Sequence, residues 1–270
     1  MAAGTLTIVG TGIRLSQLST EARGYIEAAD KLLFLVSDAV TYSWLTQVSA
    51  KAESLHTFYS ADKPRKTTYA EMVERILSYV REGINVCVAF YGHPGVFVYP
   101  GHEVVRRARL EGHNARMLPG ISAEDCLFAD LGIDPGTSGC QSFEATDFLV
   151  FRRRFDPCVA LILWQIGITG DPGYRTHCSA HGLRVLVDLL LQHYDKAHEV
   201  IIYEASRYIG SEAAVQRVVL DRVPEAKVTA SSTLYIPPTG PAIPDLAMAD
   251  RLGIPPTYFR RDSEPPRDSG

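Results

Sequence analysis

Short apolar runs, separated by longer stretches of helical periodicity, recur along the chain and constrain its fold more than any other feature. Five runs stand out: Thr5–Val9, Lys31–Val36, Asn85–Phe90, Val159–Trp164 and Glu199–Tyr203. Their residues are apolar at consecutive rather than alternate positions, which is typical of parallel strands that are covered on both faces. The alternation of such strands with helices predicts an α/β fold.

Two stretches between the strands predict amphipathic helices. The first opens with Thr68-Tyr-Ala-Glu71, which fits a capping box and places the start of the helix there. Gly83 ends this helix, and its apolar face comprises Met72, Val73, Ile76, Leu77 and Val80. The second helix follows the Gly- and Pro-rich loop 168–181, a candidate lid or contact arm. The apolar face of this helix comprises Leu183, Leu186, Val187, Leu190 and Leu191.

Length and composition favour two domains. The chain has 270 residues, of which 46% are hydrophobic, and can bury two modest cores. A break at Leu118-Pro-Gly-Ile121 divides it into predicted domains of residues 1–119 and 120–238. Residues 239–270 form a proline-rich tail, in which one short helix is predicted at 245–252.

Charge and cysteine content exclude several classes of protein. A net charge of −4 provides no global basic field for nucleic acid or anionic lipid. Five cysteines without a C-x-x-C pair, together with an N-terminus unlike a signal peptide, indicate reduced thiols in the cytoplasm. No apolar run reaches the ~18 residues of a membrane span. The eight histidines lack the spacing of metal ligands, so no metal site is predicted.

Two loops that follow predicted strands have the composition of a ligand site. Gly10-Thr-Gly12 lets backbone N–H groups approach a ligand, but it is a weak signal alone, and Leu15 stands where a dinucleotide fingerprint needs a third glycine. Tyr91-Gly-His-Pro-Gly-Val-Phe97 follows the strand that ends at Phe90. Ligands of open α/β sheets bind outside the carboxyl ends of strands, so this loop is the stronger candidate.

These loops, with Pro119-Gly-Ile-Ser-Ala-Glu-Asp125 after them, resemble the tetrapyrrole methylase superfamily over roughly residues 5–238. Within it, residues 90–98, 115–130 and 235–238 look like the borosin peptide α-N-methyltransferases. The resemblance implies two α/β domains that bind S-adenosylmethionine (SAM) in the cleft between them and release S-adenosylhomocysteine. Tetrapyrrole enzymes usually carry an acidic residue at the position of His93, so the histidine favours a peptide substrate.

The resemblance and the strand-end positions together indicate which residues bind the cofactor: Ile13, His93, Val96, Phe97, Ser122, Ala123, Gln165, Ala205 and Thr233. Gln165 is the most informative of them, because it closes the very apolar strand that ends at Trp164. Its amide is suited to an adenine edge or a carboxylate, or else to neighbouring backbone groups.

Methylation of a peptide nitrogen needs help, because its lone pair is delocalised into the carbonyl group. A cation on the carbonyl oxygen and a base for the N–H proton would supply that help. The resemblance implies that Arg65 polarises the oxygen, that Tyr59 and Tyr69 hold the amide with one of them as base, and that Tyr91 lies near the sulfonium methyl group. A nearby guanidinium favours a phenolate. His56 departs from the borosin pattern, which has a tyrosine there.

The same segment also has an interpretation without catalytic roles. Tyr69 would pack on the apolar face of its helix, Arg65 would lie in a solvated turn, and Tyr59 would pack between the domains. Two other functions also stay open from the sequence. A tetrapyrrole or other small-molecule methyltransferase of the same fold would not need Arg65 and its flanking tyrosines. A non-catalytic scaffold would bind SAM or a peptide without turnover.

The expected partners are a precursor peptide and a second copy of the chain. Fused borosins carry their substrate in a C-terminal extension, but residues 237–270 hold eight of the 16 prolines, whose nitrogens have no N–H to replace. We therefore expect a separate precursor peptide, and the resemblance implies a homodimer that would bind it in a 2:2 complex. The run Arg152-Arg-Arg154, between two phenylalanines, is either a solvated turn or a contact for an acidic peptide leader.

Overall fold

The computed structural model describes residues 4–60, 63–171, 173 and 180–259. Its first half alternates strands and helices: β1 (Thr5–Gly10), α1 (Thr20–Glu27), β2 (Lys31–Leu35), α2 (Ala39–Val48), β3 (Glu53–Ser54), α3 (Arg65–Arg81), β4 (Asn85–Phe90), α4 (Tyr99–Leu110) and β5 (Asn114–Met117). The five strands form a sheet in the order β3-β2-β4-β1-β5, and every pairing in it is parallel.

The second half also contributes a five-stranded sheet. Its elements are α5 (Ala123–Leu131), α6 (Pro135–Ser138), β6 (Cys140–Glu144), α7 (Ala145–Val150), β7 (Ala160–Trp164), α8 (Ala180–Leu190), β8 (Glu199–Glu204), β9 (Ala214–Val219), β10 (Thr233–Ile236) and α9 (Leu246–Arg251). The order is β6-β7-β10-β8-β9. Only the β6–β7 pairing is parallel, so the prediction of parallel strands is wrong for the rest of this sheet.

Helices cover both faces of each sheet, which explains the runs of consecutive apolar residues. In β2, Leu33 packs into the core beneath α3 and α4, while Leu32 and Phe34 pack on the other face against α1 and α2. In β7, Leu161 faces α8, and Ile162 faces α5. Such a run therefore reports burial on two faces, and it leaves the direction of the neighbouring strand open.

The helix that carries two candidate catalytic residues begins earlier than predicted. α3 starts at Arg65, directly after Pro64, and Thr68 is buried within the helix rather than capping it. Glu71 pairs with Lys63 instead of reaching back to the start of the helix. The capping-box interpretation is wrong because the carbonyl of Pro64 already accepts the N–H of Thr68, at 3.3 Å. Proline has a fixed φ and lacks an N–H group, and both properties suit a helix start.

The earlier start places Arg65 and Tyr69 one helical turn apart on the same face of α3. At its other end the helix behaves as predicted: it stops at Arg81, and Gly83 follows with a φ of 83°.

The remaining predictions about chain organisation have mixed outcomes. The short helix predicted at 245–252 is α9, and its first turn is capped by the carboxylate of Asp245. Most of the candidate lid, residues 168–181, lies outside the described residues. The boundary at 119/120 falls between β5 and α5 and stays a prediction. No described helix is both long and apolar enough to cross a membrane.

Candidate active site

Three loops meet where β1, β4 and β5 end, and glycines make their approach possible. A Cβ atom on Gly10 would lie 2.3 Å from the carbonyl oxygen of Gly92 and 3.0 Å from the Cα of Gly120. A Cβ on Gly120 would lie 2.7 Å from the same carbonyl. Gly12 and Gly92 also exchange backbone hydrogen bonds of 3.3 and 2.7 Å. The loops that the sequence singled out are thus packed backbone to backbone.

The loop after β4 presents its side chains to a cleft. The Nδ1 atom of His93 accepts the N–H of Gly95 at 3.0 Å, and the ring of His102 bonds to the Gly95 carbonyl at 2.8 Å. Phe97 has a φ of 55°, which a residue with a side chain rarely adopts. In this conformation its ring lies 6.1 Å from the ring of Trp164, while 51% of the residue stays exposed. The loop therefore joins the two halves of the chain.

Four predicted cleft residues line one cavity of about 400 Å³: Arg65, Tyr69, Phe97 and Gln165. Five further lining residues were missed by the sequence analysis: Tyr99, His102, Glu144, Thr146 and Asp171. The position of Glu144 at the carboxyl end of β6 was a usable signal, because strand ends bear ligand sites. The others follow from tertiary packing, which the sequence pattern does not report.

Tyr59, Tyr69 and Tyr91 form a phenol cluster beside Arg65. The phenols of Tyr59 and Tyr69 share a hydrogen bond. Desolvation, and then the Tyr69 phenol, raise the pKa of Tyr59 far above its ordinary value, while Arg65 lowers it less. The expected effect of the guanidinium has the right sign, but burial outweighs it.

Tyr91 also keeps its proton in this environment. Its residue surface is 43% accessible, yet the surrounding protein atoms desolvate the phenol and raise its pKa. The phenol of Tyr69 adds to this shift, and the guanidinium of Arg207 opposes it. Arg207, on the loop after β8, is thus a second cation near the cluster that the sequence analysis missed.

The guanidinium of Arg65 holds a backbone carbonyl group from the other half of the chain. Its Nε and Nη2 atoms donate hydrogen bonds of 3.2 and 2.8 Å to the oxygen of Gly173. This residue follows Asp171, whose carboxylate accepts the N–H of Gly173 at 2.9 Å. Arg65 therefore forks onto one peptide oxygen at the edge of the cleft, and it is not a solvated turn residue.

His56, the departure from the borosin pattern, lies beside the phenol cluster. Its ring is 5.9 Å from that of Tyr59, and its Nε2 atom hydrogen-bonds the carbonyl of Val36 at 3.0 Å. The histidine thus ties the Tyr59 segment to the end of β2.

The other predicted cofactor residues are more dispersed. Gln165 has a left-handed backbone, φ 59° and ψ 37°, which turns the chain at the end of β7. Ala123 and Ala205 pack into one apolar cluster with Trp164. Ser122 is buried and caps α5. Two more are buried, one after β1 and one in β10: Ile13 and Thr233.

A second cavity of about 370 Å³ lies between the 3₁₀ turn 15–17, α5 and the loop after β8. Arg14 and Ser206 line it, and in sequence they directly follow the predicted residues Ile13 and Ala205. The Nε atom of Arg14 is buried there without a hydrogen-bond partner among the described residues. Of the nine predicted cofactor residues, Phe97 and Gln165 thus line the first cavity, while Ile13 and Ala205 are sequence neighbours of residues that line the second.

The donor set of the first cavity fits SAM. Phe97 presents an exposed apolar surface for an adenosine, and Gln165 supplies an amide. Val96, next to Phe97 in the loop, is also exposed. Among the described residues, no group of His, Cys, Asp and Glu is arranged to hold a metal ion.

A profile of the tetrapyrrole (corrin/porphyrin) methylases matches residues 5–226. The chain belongs to the tetrapyrrole methylase family. The match runs from β1 into the 3₁₀ turn that follows β9, so it takes in both halves of the cleft.

Curated relatives of this family member are borosin proteins. A methyltransferase and type I borosin cyclic peptide precursor of Serendipita vermifera subsp. bescii is 42% identical over 97% of the chain. The methyltransferase and omphalotin A precursor of Omphalotus olearius is 39% identical over 93% of it. The matches cover 66% and 62% of these relatives, so the chain spans under two thirds of their length. The borosin resemblance is confirmed.

Solved structures of the tetrapyrrole methylase fold are similar throughout. Uroporphyrin-III-C-methyltransferase from Thermus thermophilus superposes with a TM-score of 0.61 at 19% identity, over 93% of this chain and 96% of that one. A cobalt precorrin-4 methyltransferase gives a TM-score of 0.61 at 14% identity, over 86% and 94%. These matches confirm the fold and carry no information about the substrate.

Proposed function

We propose that this protein is a SAM-dependent methyltransferase that methylates backbone amide nitrogens of a ribosomal precursor peptide. The observation that carries the proposal is the double hydrogen bond from Arg65 to the carbonyl oxygen of Gly173. A side chain that forks onto one peptide oxygen is equipped to do the same with the oxygen of a substrate amide. The names of the relatives, which combine methyltransferase and peptide precursor, support the same activity.

In the proposed reaction, Arg65 draws electron density onto the amide oxygen. Negative charge that develops on this oxygen as the nitrogen is methylated is stabilised by a fixed cation in a desolvated cleft. The same polarisation makes the amide N–H more acidic. Arg65 thereby addresses both obstacles that amide resonance raises.

The tyrosines divide the remaining tasks. Because its pKa is raised, Tyr59 stays protonated and acts as a hydrogen-bond donor. Tyr69 is the better placed of the two to receive the amide proton, since it shares a hydrogen bond with Tyr59 and Arg65 lies one turn away on α3. Tyr91, also protonated, lines the approach of the methyl group.

Bound SAM supplies an electrophilic methyl group on a sulfonium. We propose that Phe97 and Gln165 hold it together with the other seven predicted cofactor residues, of which Ile13 and Ala205 adjoin the second cavity. The chain's part in this binding is to orient the cofactor and to exclude water from the reacting atoms.

The substrate amides are proposed to lie outside these 270 residues. Residues 237–270 contain eight prolines, which cannot be N-methylated at their own nitrogens. The protein purified alone should therefore show no series of mass increases of about 14 Da per methyl group. Methylated peptides from within residues 237–270 would contradict this placement of the substrate.

The central experiment compares Arg65→Ala with Lys66→Ala, a neighbouring exposed cation on the same helix. Each protein is incubated with SAM and a candidate precursor, and both peptide mass and S-adenosylhomocysteine are measured. Arg65→Ala should abolish peptide methylation yet retain SAM binding, while Lys66→Ala stays active. Equal methylation by the two variants would show that Arg65 has no part in the reaction. Wild-type protein that methylates a tetrapyrrole but no peptide would identify a small-molecule enzyme, and absence of any turnover would identify a scaffold.

We also propose a homodimer. α9 and the residues around it expose apolar side chains that nothing described in one chain covers, among them Ile243, Leu246 and Leu252. Analytical ultracentrifugation should give twice the mass of one chain, and Leu246→Asp/Leu252→Asp should shift the protein towards the monomer. A wild-type monomer at micromolar concentration would contradict this proposal.

A further inference from the structure

Residues 150–154, here called the arginine turn, form a basic and apolar patch that the proposed reaction does not use. Val150 and Phe151 are 68% and 66% exposed at the end of α7. Arg152, Arg153 and Arg154 follow and are all exposed. In a chain of net charge −4, this is a local concentration of positive charge beside apolar surface.

Two of the three cations have no acidic partner within the described residues. Arg153 pairs with Asp147 at 2.7 Å, and its guanidinium lies 5.2 Å from the ring of Phe151. Neither Arg152 nor Arg154 forms an ion pair with any described residue. Arg153 thus holds the aromatic ring in place, while its neighbours remain available to an incoming anion.

The backbone of the turn is specialised as well. Arg152 has a φ of 46° and occupies the left-handed position that ends a helix, where glycine is usual. The N–H groups of Arg152 and Arg153 close the end of α7 on the carbonyls of Leu149 and Phe148, at 3.3 and 3.1 Å. A charged side chain in a conformation that favours glycine points to a use for that side chain.

α7 connects this patch to the cleft. Glu144 and Thr146, at its start, line the cavity, and Phe151 follows its last residue. A helix of six residues is about 9 Å long, so an extended peptide needs only about three residues to bridge the two sites.

We propose that the arginine turn binds an acidic segment, interspersed with apolar side chains, of the peptide whose amides enter the cleft. This inference rests on the proposed function and names a recognition surface for the same substrate. The carboxylates bind Arg152 and Arg154, and an apolar side chain packs on Phe151 and Val150. Binding there raises the local concentration of the rest of the peptide at the cleft.

The test uses a fluorescent synthetic peptide in which glutamate alternates with leucine, and a control peptide with glutamine in place of glutamate. Anisotropy should show tight binding of the glutamate peptide to the wild type, and Arg152→Gln/Arg154→Gln should weaken it about tenfold at low salt. Arg217→Gln/Arg222→Gln removes the same charge elsewhere on this half of the chain and should leave the affinity unchanged. Arg152→Gly keeps the backbone conformation of the turn but removes one charge. It should therefore weaken binding of the glutamate peptide, by less than the double variant does.

Three results would overturn the proposal: equal affinity of the wild type for the two peptides, equal weakening by the two double variants, or a shift in oligomeric state without a change in affinity. The last would identify the turn as a contact between copies. Because the assay needs no turnover, its result is independent of the Arg65 experiment. If peptide methylation fails while this binding persists, only the proposed function is rejected.

Discussion

The cleft is bounded by walls of different chemistry, one from each half of the chain. The N-terminal wall, defined by Arg65, Tyr69 and Tyr99, carries a cation and two phenols. The C-terminal wall, defined by Glu144, Gln165 and Asp171, carries two carboxylates and an amide. In the proposed reaction the first wall acts on the substrate amide and the second orients the cofactor. Substitutions in the two walls should therefore alter catalysis and cofactor binding separately.

The largest expected effect comes from the N-terminal wall. Arg65→Lys keeps the charge but cannot fork onto one oxygen, so kcat for peptide methylation should fall about 100-fold or more. Calorimetry should show unchanged affinity for SAM. A variant with wild-type kcat would mean that a positive charge is enough for catalysis and that the forked geometry is not needed. A loss of SAM affinity would mean that the N-terminal wall also contributes to cofactor binding.

A tenfold effect is expected from the C-terminal wall. Gln165→Leu removes one amide from the proposed cofactor site, and the Kd for SAM should rise about tenfold. The KM for peptide should stay the same. Gln192→Leu, at an exposed position outside the cavity, serves as the control. If Gln165→Leu changes the KM for the peptide instead, the C-terminal wall binds the peptide rather than the cofactor.

Tyr99 should have a smaller effect, confined to the peptide. Its ring stacks on that of Tyr69 at 6.2 Å, and 57% of the residue is exposed at the mouth of the cleft. Tyr99→Ala should raise the peptide KM about fivefold, while Tyr99→Phe keeps the stacking and the wild-type KM. Tyr258→Ala, outside the cleft, controls for loss of an exposed ring. Identical kinetics of the alanine variant and the wild type would show that Tyr99 does not contact the peptide.

The smallest effect concerns alkaline stability and compares one buried phenol from each half. Burial raises the pKa of Tyr59, and burial with a hydrogen bond to Asp130 raises that of Tyr203. Above pH of about 10 the unfolded chain releases these protons while the native protein keeps them, so the free energy of unfolding falls as pH rises. Tyr59→Phe and Tyr203→Phe should each make that fall shallower in urea titrations. A slope unchanged in either variant would show that its phenol is not desolvated.

Local sequence patterns predicted the parts of the fold that depend on local burial. Consecutive apolar residues predicted β1, β2, β4, β7 and β8 but not the other five described strands, and the loop after β4 was predicted from its position at a strand end. The direction of β10 between β7 and β8 was not predictable in this way, since antiparallel neighbours buried on both faces leave the same apolar signature. The start of α3 was misplaced because the Thr68 pattern competed with Pro64, whose effect was stronger.

The candidate site was predictable where residues matched a family motif and not where tertiary packing decides. Arg65 and Tyr69 were found through the motif. Asp171 reaches the cavity from the other half of the chain, and no local pattern marks it. The protonated state of Tyr59 was also beyond the sequence, because it results from a balance between burial and a cation.

In the proposed function, the carbonyl of Gly173 competes with the substrate amide for the guanidinium of Arg65, because it already accepts two hydrogen bonds from it. A peptide amide gains access to the guanidinium only when this internal ligand leaves, so its apparent affinity is reduced by the fraction of time that the arginine is occupied. In the proposed reaction, the same carbonyl rebinds the guanidinium when the methylated segment departs and so favours its release.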